Sequence, residues 1–206
     1  MAIAQKQDRK DQVLQIAAKQ FSERGYHGTS MQDLARDLGI LRGSIYAHID
    51  SKEAILFEIV DAGATRFLER MTAVKQAPGS PAEKVRAAIE AHITTVAEHL
   101  EASTVFLNDW RHLSPKPRKA IEQKRDLYES LVKEIIEDGV RNGAFRRDLD
   151  ARFAALLILS TVNWVYQWFD PAGPMSATQV AKVFSEMILG GFLDPIHQDA
   201  KARRKR

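Results

Sequence analysis

The chain has 206 residues, 45% apolar and 28% charged, proportions of a globular protein that exclude a fully disordered chain, a collagen-like repeat and a disulfide scaffold. Cysteine is absent, so disulfides, thiolate nucleophiles and Cys-ligated metal are excluded together, and a reducing compartment, the cytoplasm, is expected. The net charge of +3 owes everything to the final KARRKR, without which the remainder would stand at −2, so global charge does not by itself argue for nucleic acid.

The opening MAIAQKQDRKDQ has no apolar h-region, and no export signal is expected. Strand alternation is missing while helical spacing recurs in segment after segment, which predicts an all-α protein of about nine helices without internal repeats. Val13, Ile16, Ala17, Gln20 and Phe21 make the first amphipathic face, closed at Gly25. Ser30 starts a second helix with Asp33 three residues on; Met31, Leu34, Ala35 and Leu38 are its buried face, and Gly39 stops it. Helical character returns through Ile45, Tyr46 and Ile49, and Asp50-Ser51 opens a long helix from Ile55 to Met71 that breaks at APGSP, residues 77–81. Ser80-Pro81-Ala82-Glu83 combines a capping box with proline at the first helical position and opens the stripe Val85, Ala88, Ile89, His92, Ile93, Val96 and Leu100.

A shorter helix is predicted over 102–112, then, past SPKP at 114–117, one with Ile121, Tyr128, Leu131, Val132, Ile135 and Ile136 that ends at Gly143. A single apolar helix is predicted over 150–170. Its stretch FAALLILSTVNWVYQWF has no charge and approaches spanning length, but Asn163 and Gln167 lie inside it, so a helix covered on several faces is expected instead. Last comes Ser176 to Gly190, with Val180, Val183, Phe184, Met187, Ile188 and Gly191 as one stripe.

Three short helices near the N-terminus, the second and third joined by a glycine turn, match the helix-turn-helix plan. Ile40 and Ile45 anchor the third, which leaves Arg42, Gly43, Ser44, Ala47 and His48 exposed. Small residues let a helix enter a major groove deeply, and arginine or histidine reads base acceptors there. The same residues also suit a folded helical cap with no nucleic-acid role, and Tyr46 suits a half-buried packing position. Lys6, Arg9 and Lys10, interrupted by Asp8 and Asp11, are either added phosphate contacts or a solvated leader.

QIAAKQFSERGYHGTSMQDLARDLGILRGSIYAHIDSKEAIL, residues 15–56, resembles the tetracycline-repressor (TetR) family of bacterial transcription regulators. The resemblance implies that Thr29 and Ser30 start the first helix of the motif at the phosphate backbone, that Arg42 to His48 occupy the recognition helix, and that Tyr46 and Lys52 touch phosphate. Two positions depart from the family pattern: Ile49 replaces the usual aromatic, and Leu41 replaces the serine that caps the recognition helix. The organisation expected is a DNA-binding domain over 1–53, an effector-binding and dimerisation domain over 54–196 and a basic tail over 197–206.

The larger part holds all three tryptophans, Trp110, Trp164 and Trp168, together with Phe106, Tyr128 and Tyr166. Such aromatics either line a small-molecule pocket or fill a core. Residues 104–146 and NWVYQWF resemble the TetR subgroup that controls fatty-acid, phenylacetate and steroid degradation, whose effectors are acyl-CoA thioesters. That resemblance implies an apolar tunnel with cations near its mouth. Arg111, Arg118, Lys119, Lys124 and Arg125 would grip CoA phosphates, or else form a solvated face paired with Glu122, Asp126 and Glu129. Helices 150–170 and 176–191 are apolar enough for a four-helix interface between two subunits, with Leu156 to Val165 on one side and Val180, Phe184, Met187 and Ile188 on the other as candidates.

No HExxH, phosphate-cradling glycine loop or GxSxG occurs, and the six histidines form no ligand set, so neither catalysis nor a metal or cofactor is expected. The reading is a homodimeric repressor that leaves a palindromic double-stranded operator when an acyl-CoA binds. The alternatives are a sensor of another hydrophobic or aromatic compound such as a drug and, more distantly, a peripheral membrane or interaction protein that uses KARRKR on anionic lipid.

Overall fold

The computed structural model describes residues 2–193, with side chains from residue 9 onward; KARRKR and His197 lie outside the described residues. Nine α-helices occur among them: α1 (Ala2–Arg24), α2 (Met31–Asp37), α3 (Arg42–Tyr46), α4 (Lys52–Gln76), α5 (Pro81–Glu98), α6 (Leu100–Asn108), α7 (Pro115–Arg141), α8 (Ala151–Asn163) and α9 (Ala177–Phe192). Two 3-10 turns, Asp109–His112 and Trp164–Gln167, follow α6 and α8, and no strand occurs among the described residues. The described chain divides into two compact units, residues 2–66 with 99–124 and residues 67–98 with 125–193, the boundaries falling inside α4, between α5 and α6, and inside α7.

In the first unit α1 begins at Ala2, so the basic leader is helical, and Lys10 is drawn to Glu58 of α4 at 2.7 Å. Gly25, at φ 75°, sends its N–H back to Phe21 O and closes α1 in the left-handed region that glycine enters without a Cβ clash. Ser30 and Asp33 form a complete capping box on α2. Gln20 ties α1 to α2 by donating to Asp33 O (3.3 Å) and Asp37 Oδ2 (2.6 Å). Val13, Ala17, Phe21, Leu34, Ala35, Ile45 and Ile55 are buried between these helices. Burial of each of the larger side chains contributes about 1.5–3 kcal/mol. α6 packs on α1, and its Phe106 sits over Gly63 of α4, where an added Cβ would stand 2.9 Å from the Phe106 Cβ.

In the second unit α5 packs chiefly on α9 and also on α8. Asp150 caps α8 by accepting from the N–H groups of Arg152 and Phe153, and Ser176 with Gln179 makes a capping box on α9. After α7 the chain turns at Gly143, and Arg146 N–H donates to Phe192 O at 3.0 Å.

Three sequence expectations change. The helix over 102–112 is α6 followed by a 3-10 turn. The helix over 150–170 stops at Asn163, where the chain tightens into i→i+3 bonding that satisfies the last carbonyls ahead of Pro171. The single stripe on α9 is two faces: Val180, Ile188, Leu189 and Phe192 point inward, while Val183 and Met187 stand outside. Among the described residues no helix is long and apolar enough to cross a membrane.

Candidate functional site

Buried Ile45 and Ile49 fix α3 on the first unit and turn Arg42, Gly43, Ser44, Tyr46 and Ala47 into solvent. The Arg42 guanidinium lies 3.3 Å from Tyr46 Oη and 5.8 Å from the Tyr46 ring centre, so these two side chains brace each other one turn apart. A Cβ on Gly43 would meet nothing within 4 Å, which leaves this side of α3 open to a close approach. His48 is half-buried, with Nδ1 shielded from solvent and lacking a hydrogen-bond partner in the protein. Leu41, 81% exposed, offers α3 no side-chain cap, as its replacement of serine implies.

Ser30 is exposed at the start of α2, but its N–H and hydroxyl both donate to Asp33 Oδ2, at 2.9 and 2.6 Å. Those bonds hold the Asp33 carboxyl below its ordinary pKa. Thr29 is 1% exposed and its hydroxyl lies 3.3 Å from the backbone oxygens of both Gln20 and Gly25. Its side chain therefore sits inside the α1–α2 junction rather than at a phosphate-facing surface. Lys52 Nζ stands 4.2 Å from the centre of the Tyr26 ring, and partial burial lowers its pKa.

Lys52 borders a cluster that sequence reasoning missed. Tyr26 stacks on His112 at 5.8 Å, and His27 Nε2 lies 3.1 Å from His112 Nδ1. Ser114 N–H donates to Glu53 Oε1 at 2.7 Å, and burial pushes the carboxyl pKa of Asp109 up. These contacts fasten the α1–α2 loop and the start of α4 to the 3-10 turn after α6. His27 and His112 are 85 positions apart, and no local pattern signals their meeting.

The proposed effector residues fall into both units. In the first, Phe106 and Trp110 are buried and Arg111 lies over the Trp110 ring at 4.6 Å. Arg118 pairs with Glu122 at 3.4 Å, while Lys124 is held by Asp61 and Thr65 at 2.6 and 2.7 Å. In the second, Tyr128 Oη lies 2.9 Å from Nδ1 of His92, and the charge of Arg125 joins burial in lowering the His92 pKa. Trp164 is 60% exposed and pairs with Tyr166; Trp168, also exposed, packs on Phe184 with ring centres 5.9 Å apart.

Of the proposed interface residues, Leu156 and Met187 are exposed and Phe184 half-exposed, whereas Ile188 is nearly covered. Val165 and Val180 are corrections: both are buried within the unit, because α5 and the inner faces of α8 and α9 close over them. Sequence reasoning missed Phe153, which is exposed on α8 as is Leu157 of the proposed interface stretch. With Thr161, Phe184 and Met187 they line a groove of about 620 Å³ that ends at Arg146, Asp148 and Asp150.

Two family profiles match the chain: Bacterial regulatory proteins, tetR family, over residues 13–59, and Tetracyclin repressor-like, C-terminal domain, over residues 78–192. The chain is 33% identical over 191 residues to the HTH-type transcriptional repressor KstR2 of Mycolicibacterium smegmatis, covering 91% of this chain and 92% of that protein. It is 25% identical over 159 residues to the fatty acid metabolism regulator protein of Bacillus subtilis, covering 77% and 82%. The crystal structure of AibR in complex with isovaleryl coenzyme A and operator DNA superposes with a TM-score of 0.79 at 29% identity, covering 87% and 97%.

Proposed function

Since the chain belongs to the tetR family of bacterial regulatory proteins, we propose that it is a transcriptional repressor that grips a palindromic operator as a homodimer and lets go when an acyl-CoA thioester binds. One observation carries the DNA reading: α3 is pinned by Ile45 and Ile49 with the Arg42–Tyr46 brace and the open side of Gly43 facing outward. Arg42, Ser44, Ala47 and His48 meet base edges, while Ser30, Tyr46 and Lys52 meet the phosphate backbone. Thr29 contributes by holding the loop. Two copies related by a two-fold axis place their α3 helices about 34 Å apart, one turn of DNA.

The acyl-CoA reading is supported by the likeness to AibR, whose structure holds isovaleryl coenzyme A and operator DNA, and to the fatty acid metabolism regulator. A hundredfold loss of operator affinity on effector binding requires about 2.7 kcal/mol of coupling. The test is a mobility-shift titration on DNA flanking the gene, with and without acyl-CoA. Retardation that is relieved by the thioester supports the reading, and no retardation at low ionic strength overturns it.

A second reading, a sensor of another hydrophobic or aromatic compound, is favoured by the engagement of Arg118 and Lys124 with Glu122 and Asp61 inside the protein. Neutralising Arg111, Arg118 and Arg125 separates the two, because only the CoA reading requires these cations for binding.

A further inference from the structure

Within the first unit, Tyr26 and His27 of the α1–α2 loop dock on the 3-10 turn after α6 through side chains that exchange protons. His27 Nε2 and His112 Nδ1 stand 3.1 Å apart with ring planes at 77°, and both residues are exposed, so water delivers protons to them. For that contact to be a hydrogen bond, one of the two nitrogens must offer a lone pair. At its other ring nitrogen, Nε2, His112 lies 3.8 Å from Asp109 Oδ1. The Asp109 carboxylate is only 3% exposed and accepts from the Asn108 amide at 3.1 Å and from Tyr26 N–H. Other charged groups on the elements packed here are engaged: Lys52 over the Tyr26 ring, Glu53 with Ser114 N–H, and Arg111 over the Trp110 ring. The array Asp109–His112–His27 accommodates one extra proton, because a His112 imidazolium donates Nδ1–H to His27 and turns Nε2–H to the carboxylate. A second proton leaves no lone pair between the rings and sets two cations N–H to N–H. The docked pair therefore binds one proton fewer than the two rings apart, and by linkage a falling pH favours undocking.

We propose that the His27–His112 pair is a proton-operated latch on DNA binding: it holds the α1–α2 loop in place while it carries no more than one extra proton, and lets the loop go when both imidazoles are charged. Release frees Tyr26, the ring on which Lys52 rests, so the latch goes beyond the effector reading but rests on the placing of Lys52 at the phosphate backbone. Charging exposed histidines strengthens attraction to phosphate, so a loss of operator affinity in acid has the sign opposite to the general electrostatic effect. Asp109 also pulls the other way: burial raises its carboxyl pKa, which favours docking in acid, so the imidazole pair has to be isolated by substitution.

The test is the affinity of the full chain for a labelled duplex from DNA flanking the gene, read by fluorescence anisotropy at constant ionic strength from about pH 8 to about pH 5.5, where imidazoles charge. The parent should lose about tenfold across that range, whereas His27→Gln, which keeps a donor and an acceptor beside His112 Nδ1 and leaves Asp109 in place, should lose less than about threefold. A parent affinity that stays level or rises in acid, or an equal loss in His27→Gln, would overturn the proposal. If His27→Gln fails to fold, His112→Asn, which keeps an acceptor near the Nδ1 position, takes its place with the same outcomes. Hydrogen exchange of residues 25–29, corrected for the intrinsic rate, reads the latch without DNA: acid should promote its opening in the parent and not in the variant. If the parent binds no duplex even at the upper pH, the DNA reading fails and exchange decides the latch alone. Opening in acid that His27→Gln abolishes supports it, and equal protection in parent and variant overturns it.

Discussion

Lys52 holds its charge over the Tyr26 ring, partly withdrawn from water and at the first position of α4, where a rigid helix fixes it. Lys52→Ala is expected to weaken binding to every DNA sequence and to reduce the slope of log affinity against log salt by about one unit. Filter binding at several salt concentrations measures this, and parallel slopes would remove Lys52 from the phosphate contacts. Arg42 and Tyr46 touch, so their substitutions should not be additive: a double-mutant cycle of Arg42→Ala and Tyr46→Phe on operator affinity is expected to show at least about 0.5 kcal/mol of coupling. Ser30→Ala should lower the unfolding free energy by about 1 kcal/mol. The hydrogen bonds from Ser30 depress the Asp33 pKa, so the native state favours the charged carboxylate. That contribution is complete above the ordinary aspartate range and fades as pH falls through the depressed folded value. Urea midpoints of the parent and Asp33→Asn should differ at neutral pH and converge in acid.

At the scale of single elements, caps and stops were legible because their chemistry is local. Ser30, Ser80 and Gly25 each sit beside the residues whose backbone groups they satisfy, and each does what its spacing implies. The end of α8 was not legible, since no glycine or proline marks Asn163 within its apolar run and the break lies in how the last turn bonds. The two faces of α9 were hidden for a related reason: an apolar residue reads the same whether it meets α5 or solvent. Leu41 is the converse case, a defect visible in both sequence and structure. Leu41→Ser should add a side-chain acceptor at the start of α3 and raise stability by about 0.5–1 kcal/mol in thermal or urea unfolding; an unchanged midpoint would mean that α3 is held by Ile45 and Ile49 alone.

For the whole molecule, the exposed apolar face of α8 and α9 is where the proposed dimer would pair. Phe153, Leu157 and Met187 are exposed beside the groove, and a monomer leaves them in water. If the proposed dimer pairs there, Leu157→Glu with Met187→Glu should give a monomer in sedimentation analysis and cost most of the operator affinity, since one α3 then grips half a site. A double variant that stays dimeric would place the interface elsewhere. The candidate site was legible where it is continuous in sequence, from Arg42 to Lys52. His27 with His112, and Glu53 with Ser114, were not, because the docking of distant segments brings them together.

That docking bears on how portable the head is. Residues 1–66 share one compact unit with residues 99–124, so a chimera spliced at residue 53 would part Tyr26 and His27 from His112 and Glu53 from Ser114. A graft that exchanges operator preference between relatives should keep its fold only if the donor also supplies the segment around Asp109 to Ser114. Lineages that swap heads would have to inherit two stretches of gene at once.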